Sequence, residues 1–174
     1  MGIAADLAYR VREPGRVQRV VQVAASSRVG ARALSRTLPT LDRAVAHLSR
    51  GRTTAAELLA GLPVVWLTTT GRRSGLARRT QLVAVPFRDG LAVLGTNFGQ
   101  SGTPTWVLNL EAHPRATVTY RDLCVDVVSR PADTTERAAI LARAGEVYVG
   151  YPTYLQRISG RRVRVFVLER AASS

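Results

Sequence analysis

Hydrophobic positions change their rhythm twice along this chain of 174 residues. Over residues 1–52 apolar residues recur at helical spacing, at Val17, Val20 and Val21 and again at Leu41, Val45 and Leu48. Pro39 and the SSRVGAR stretch divide this region into two or more short helices. Thr54-Ala-Ala-Glu57 has the pattern of a capping box that opens a further short helix, stopped by Gly61 before Pro63. From Val64 the rhythm shortens to that of strands. Val64–Thr70 reads as a first strand, Arg79–Phe87 as a second and Leu91–Gly95 as a third, with Arg-Asp-Gly at 88–90 as a hairpin turn. PTWVLNLEA at 104–112 reads as a helix ended by His113-Pro114. Arg115–Tyr120 and Leu123–Arg130 form a second hairpin, again turning at Arg-Asp. Asp133-Thr-Thr-Glu136 caps a helix that runs to about Tyr148, and the alternating RVRVFVLE closes the chain as a strand.

About six strands joined mainly by short turns, with helices inserted at two places, predict an α+β protein that is mainly antiparallel. The expected form is a small closed or half-closed barrel carrying a helical N-terminal extension. A doubly wound sheet is excluded, because helices do not alternate with strands. The division falls at residues 1–61 for the extension and 62–174 for the barrel.

Charge adds a second theme. All 25 basic residues are arginine, and they outnumber the 12 acidic ones, for a net charge of +13. Such a balance favours an acidic partner: nucleic acid, anionic lipid or a polyanionic ligand. Residues 1–52 hold ten of the arginines against Asp6, Glu13 and Asp42. A basic amphipathic segment of this kind fits an anionic membrane surface, or a helical pair packed on the main domain. The lone cysteine, Cys124, cannot form an intramolecular disulfide and reads as a buried strand thiol. Two histidines do not make a zinc site, so no metal is expected. No signal peptide or membrane span is evident, and a cytoplasmic location is expected.

Three stretches carry candidate chemistry. The first, TTTGRRSGLARR at 68–79, places four arginines and two glycines within nine residues at the end of a strand. Glycine-turn N–H groups and arginine forks suit carboxylate or phosphate, although a solvated hairpin would look the same. Neither a P-loop nor a GxGxxG motif is present. The second, GTNFGQSGTPTWVLNL at 95–110, is a glycine loop feeding a helix, with Trp106 and Asn109 three apart on one face. Trp106 alone reads as core packing, and Asn109 suits either a ligand or a neighbouring loop. The third, YVGYPTY at 148–154, reads as a rigid aromatic loop with phenols to line a pocket, or as a loop clamped on the barrel end.

These motifs, with the intervening His-Pro and the closing strand, resemble the deazaflavin-dependent nitroreductase family over roughly Leu62–Glu169. That resemblance implies a split β-barrel of the flavin and deazaflavin reductase type. It also implies coenzyme F420, a deazaflavin with a phosphodiester and an oligoglutamate tail, in preference to FMN. By position it implies that Arg72, Arg73 and Arg78 hold the anionic tail, with Thr70 and Ser74 adding bonds. Thr96 and Asn97 match the loop beside the phosphate and ring, Trp106 and Asn109 the helix after it, and Tyr151 and Tyr154 the tyrosines edging the substrate side. The chain departs from some relatives at Asn97, where they carry lysine, and at Val83 and Arg157, where they carry tyrosine.

The implied activity is hydride transfer from reduced F420 to a small electron-poor acceptor such as a quinone, nitro compound or enone, with Tyr151 and Tyr154 as the catalytic residues. Rival expectations are a non-catalytic deazaflavin, flavin or tetrapyrrole binder, and a quinone reductase held at a membrane through residues 1–52. A homodimer is in keeping with small barrels of this type. Nucleic acid ranks last, because the aromatic residues fall in the pocket motifs rather than between exposed arginines.

Overall fold

A computed structural model describes residues 2–11, 15–27, 30, 33, 61–100, 102–158 and 162–172. The helices proposed near Leu41–Leu48 and at Thr54–Gly61 lie outside the described residues. The chain opens with α1 (Ile3–Asp6) and α2 (Arg16–Ser26). The barrel strands are β1 (Val64–Thr70), β2 (Ala77–Val83), β3 (Val85–Phe87), β4 (Gly90–Leu94), β5 (Arg115–Tyr120), β6 (Leu123–Pro131) and β7 (Val165–Arg170). A 3-10 turn (Asn97–Gly99) and α3 (Thr105–Ala112) follow β4, and α4 (Thr134–Val147) and α5 (Gly150–Arg157) precede β7.

The sheet order is β2-β1-β5-β6-β7-β4-β3, and every pairing is antiparallel. The two edges, β2 and β3, are separated in sequence by Ala84 alone. They are one strand broken at that residue, pairing β1 on one side and β4 on the other, and this closes the sheet on itself. The single strand expected at 79–87 is therefore present, with a break that lets it turn from one half of the barrel to the other. Both predicted hairpins turn at Arg-Asp. Arg88 and Arg121 take positive φ of 51° and 54°, and each guanidinium lies over the preceding aromatic ring, Phe87 at 5.1 Å and Tyr120 at 5.2 Å.

Side-chain alternation divides the interior into two apolar clusters. Leu91 and Val93 of β4 and Phe166 and Leu168 of β7 point into the barrel, with Val65, Leu67, Val118 and Val127. The intervening Ala92, Leu94, Val165 and Val167 face a second cluster with Ile140 and Ala144 of α4 and the tyrosines of α5. Strands covered on both faces read as continuous apolar runs, which explains GLAVL. The outer face of β1, β5 and β6 is not covered by these helices. It forms a groove of about 590 Å³ whose lining includes Thr68, Thr70, Thr117, Cys124 and Asp126. Cys124 is thus exposed, contrary to the expected buried thiol. Val125 and Val127 take the inward positions of β6, so the period of two turns Cys124 and Asp126 outward.

The N-terminal stretch is part of the barrel. Ile3, Leu7 and Tyr9 are buried in the first cluster, Tyr9 meets Tyr120 edge-on, and Arg170 pairs with Asp6. The Tyr9 hydroxyl lies 2.9 Å from the Pro63 carbonyl oxygen and 2.7 Å from that of Ala84, so it satisfies the strand break.

The capping box at Asp133 forms as expected, with the Glu136 N–H donating to Asp133 Oδ1 at 2.8 Å. Glu136 is buried and also receives two bonds from Arg130, at 2.6 and 2.8 Å, and one from Arg88 at 2.9 Å. The Arg130 bonds, then the capping N–H and the charges of Arg130 and Arg88, outweigh desolvation and hold the Glu136 carboxyl down at about 2. A carboxyl with a depressed folded pKa adds stability above its unfolded value, and that stability is lost as pH falls through the folded one. We expect stability to fall between about pH 4.5 and pH 2. Glu136→Gln should flatten that decline and lower stability at neutral pH, as read by denaturant midpoints across pH.

Candidate active site

The arginine stretch is a short turn between β1 and β2. Gly71 N–H donates to Leu76 O and Gly75 N–H to Gly71 O, both at 2.8 Å. A Cβ on Gly71 would lie 2.8 Å from Ser74 Oγ and 3.0 Å from Leu76 O, and Gly75 has a φ of +66°, so the turn needs both glycines. A polar relay pins its two stems to α3. The Arg72 N–H donates to Asn109 Oδ1 at 3.1 Å, Asn109 Nδ2 donates to Thr69 Oγ1 at 3.0 Å, and Thr69 Oγ1 donates to Arg78 O at 3.3 Å. Asn109 is thus a positioning residue whose buried amide serves the loop. This is the contact with a neighbouring loop that its spacing allows.

The hydroxyl that braces this turn from beneath is that of Thr69. Thr69 shares the parity of the buried Val65 and Leu67, whereas Thr70 faces the outer groove. Strand alternation carried that signal. Ser74 accepts a bond from the Leu76 N–H at 3.3 Å and so helps to hold the turn. Arg72, Arg73 and Arg78 are exposed, and no ion pair among the described residues engages them. Arg79 instead stacks on Trp66 at 4.3 Å.

β4 ends against α3, where Gly95 abuts Val107. Val107 and Asn109 are two residues apart, about 200° around the helix, so Gly95 and the Arg72 backbone meet α3 on roughly opposite sides. The start of α3 has Pro104 as its N-cap and no side-chain cap. Its first N–H groups and the positive end of its dipole suit an anionic oxygen. Thr96 is buried, and Asn97, with φ of 48°, donates from Nδ2 to Gly102 O at 3.0 Å. The Trp106 ring is buried in the barrel and packs edge-on to Phe166 at 6.3 Å, as plain core packing would have it.

The YVGYPTY stretch is helical from Gly150 rather than a loop. Pro152 sits in the first turn, where the N–H that it lacks would have no helical partner. Tyr148, Tyr151 and Tyr154 are all buried. Tyr151 donates to the Val83 carbonyl at 3.1 Å, and the Tyr148 and Tyr154 hydroxyls meet at 2.9 Å. Burial, above all, pushes the three phenols above their ordinary range. They remain protonated at neutral pH and act as hydrogen-bond donors, not bases. The motifs give Tyr148 no role separate from the other two tyrosines, and nothing in them marks Thr69 as the brace of the arginine turn.

The structure thus ties the basic turn to α3 and packs the turn after β4 against α5, whose tyrosines form a buried phenol cluster with Tyr148. F420H(2)-dependent quinone reductases match residues 41–170 of this sequence, three-quarters of its length. The chain belongs to the F420H(2)-dependent quinone reductase family. Among solved structures, that of the F420-H2 dependent reductase FDR-A is 30% identical with a TM-score of 0.57, over 62% of this chain and 94% of that chain. A solved domain-swapped dimer is 27% identical with a TM-score of 0.59, over 73% of this chain and 95% of that one. This reductase-family chain is an F420H2-dependent oxidoreductase with the split-barrel fold, and coenzyme F420 is its cofactor. Its residues suit a polyanionic coenzyme: Arg72, Arg73 and Arg78 are exposed on a braced turn, and no ion pair among the described residues neutralises them. Among the described residues no helix is long and apolar enough to cross a membrane.

Proposed function

We propose that this reductase transfers a hydride from reduced F420 to a quinone, holding the coenzyme tail on Arg72, Arg73 and Arg78 and the acceptor beside α5. The observation that carries this reading is the braced turn with its three exposed, unpaired arginines. The phosphodiester would lie at the start of α3, beside Thr96 and Asn97. When bound, the coenzyme supplies the hydride. The protein contributes position, a low-dielectric setting and hydrogen-bond donors. Asn109 and Thr69 hold the arginines in place, and Tyr151 locks α5 to the strand that ends at Val83. The Tyr148–Tyr154 pair, protonated throughout the neutral range, is suited to polarise an acceptor oxygen. Tyr151 and Tyr154 therefore serve as donors and supports, and Trp106 supports the site from within the core.

The test is a titration of the protein with F420 and with FMN, followed by turnover of reduced F420 with menadione and with nitroaromatic compounds. Tight F420 binding, much weaker FMN binding and faster reduction of menadione are expected. Nitroaromatic turnover that exceeds menadione turnover would move the acceptor class.

A second reading adds a lipid surface. On α2, Val20 and Val23 are 69% and 61% exposed, beside Arg16 and Arg19. Such a face suits an anionic interface, where lipophilic quinones reside. Binding to phosphatidylglycerol vesicles should fall in Val20→Asp/Val23→Asp, with menadione turnover in solution unchanged. Equal vesicle binding by both proteins would remove this reading.

A further inference from the structure

Arg157 closes α5, and its Nη1 is shielded from solvent without a hydrogen-bond partner. None of the ion pairs among the described residues involves it. A cation at a helix C-terminus is ordinary, but the dipole does not require its N–H groups to be withdrawn from water. A buried charged donor without an acceptor is unfavourable, and such groups gather where a ligand completes them.

The surroundings point to which ligand. The Asn97–Gly99 turn packs on α5 here, so that a Cβ on Gly99 would stand 3.5 Å from Tyr154 Cα and 3.6 Å from Arg157 Cβ. The Arg157 charge also reaches the phenols of Tyr148 and Tyr154, drawing their titration down against the stronger effect of burial. The guanidinium therefore belongs to the same cluster as the paired hydroxyls and the turn after β4. Its missing partner is an anionic oxygen. On the proposed reading the arginine turn and the start of α3 receive the coenzyme's anionic groups, so the acceptor is the source that we assign.

We infer that Arg157 is an acceptor-binding residue, and that it makes this reductase select quinones bearing an ionised oxygen through a charge-assisted bond from Nη1. This rests on the quinone reading above. The reaction balances as quinone plus hydride plus proton giving hydroquinone, with the coenzyme oxidised by two electrons. Arg157 keeps its proton throughout and stabilises negative charge on oxygen.

The test uses protein loaded with oxidised F420, which cannot deliver a hydride, and calorimetric binding of two probes of similar size. One is 2-hydroxy-1,4-naphthoquinone, ionised at neutral pH, and the other is neutral menadione. The wild type should bind the ionised probe about 10-fold or more tightly than menadione, and Arg157→Gln should erase that preference, a loss of about 10- to 100-fold. Arg157→Lys should restore part of it, which guards against a misfolded glutamine variant. Menadione and F420 affinities should stay the same in all three proteins. Equal binding of both probes by the wild type, or a preference that survives in Arg157→Gln, overturns the inference. Loss of F420 affinity in Arg157→Gln overturns it too, since the anion then belongs to the coenzyme. If neither probe is reduced by F420H2 while ionised-probe binding still depends on Arg157, the quinone reading fails and the anion site stands.

Discussion

Replacing Arg72, Arg73 and Arg78 together by alanine should lower affinity for long-tailed F420 by about 100- to 1000-fold. Charge-assisted hydrogen bonds contribute about 1.5–3 kcal/mol when well formed, and exposed ion pairs about 0–1 kcal/mol. All three arginines are exposed but sit on a turn braced by Gly71, Thr69 and Asn109, so about 1–1.5 kcal/mol each is a reasonable middle. Neighbouring sites on one polyanion couple, and the triple variant need not equal the product of the single ones. Arg73→Ala alone should cost about fivefold to tenfold. The fold should survive, because none of the three side chains is buried or engaged in an ion pair among the described residues. Two features separate this role from a general loss of positive charge. The defect should grow with the number of glutamates in the tail, and wild-type affinity should weaken with salt, as exposed charge pairs do. A defect of equal size for a coenzyme without a tail would assign the arginines elsewhere.

Much of this arrangement is legible in the residues alone, for local reasons. The hairpins at Arg88-Asp89 and Arg121-Asp122 follow from strand alternation on both sides of a two-residue turn, and the box at Asp133 and Glu136 is complete within four residues. What escaped depends on contacts distant in sequence. Gly150, Pro152 and three tyrosines have the composition of a loop. They form a helix because Pro152 falls in its first turn and the tyrosines bury against α4 and the barrel wall. Barrel closure hides in the break at Ala84, where nothing in AVP announces that β2 and β3 pair with different neighbours. Asn109 was placed on the correct helix, but its role appears only when Thr69 and Arg72, about forty residues earlier, come within hydrogen-bond reach. The arginine turn, by contrast, is legible from its own glycines and charge, and no ion pair among the described residues engages Arg72, Arg73 or Arg78.

Leu7→Ala should destabilise the protein by about 2–5 kcal/mol, the range for emptying a packed leucine site. Domains of this size have about 5–15 kcal/mol in total, so the change is a large fraction of what holds the fold. For a chain of this length it corresponds to a melting temperature lower by about 5–20 °C. Leu7 is 1% exposed in the barrel cluster, between Ile3, also 1% exposed, and Tyr9, whose hydroxyl meets the Ala84 carbonyl at the strand break. Tyr9→Phe keeps the ring against Tyr120 but leaves the Pro63 and Ala84 carbonyls without that donor, at about 1–3 kcal/mol. A basic arm that served only a lipid surface would behave differently, since shortening one of its leucines would reduce vesicle binding and leave thermal unfolding unchanged. Differential scanning calorimetry of Leu7→Ala and Tyr9→Phe, paired with vesicle sedimentation, separates the two. Lower melting with vesicle binding intact means that residues 2–11 close the barrel and that any lipid contact must come from the outward valines of α2. Unchanged melting with weakened vesicle binding would mean that the segment leaves the barrel in solution, and that closure at Ala84 is achieved without it.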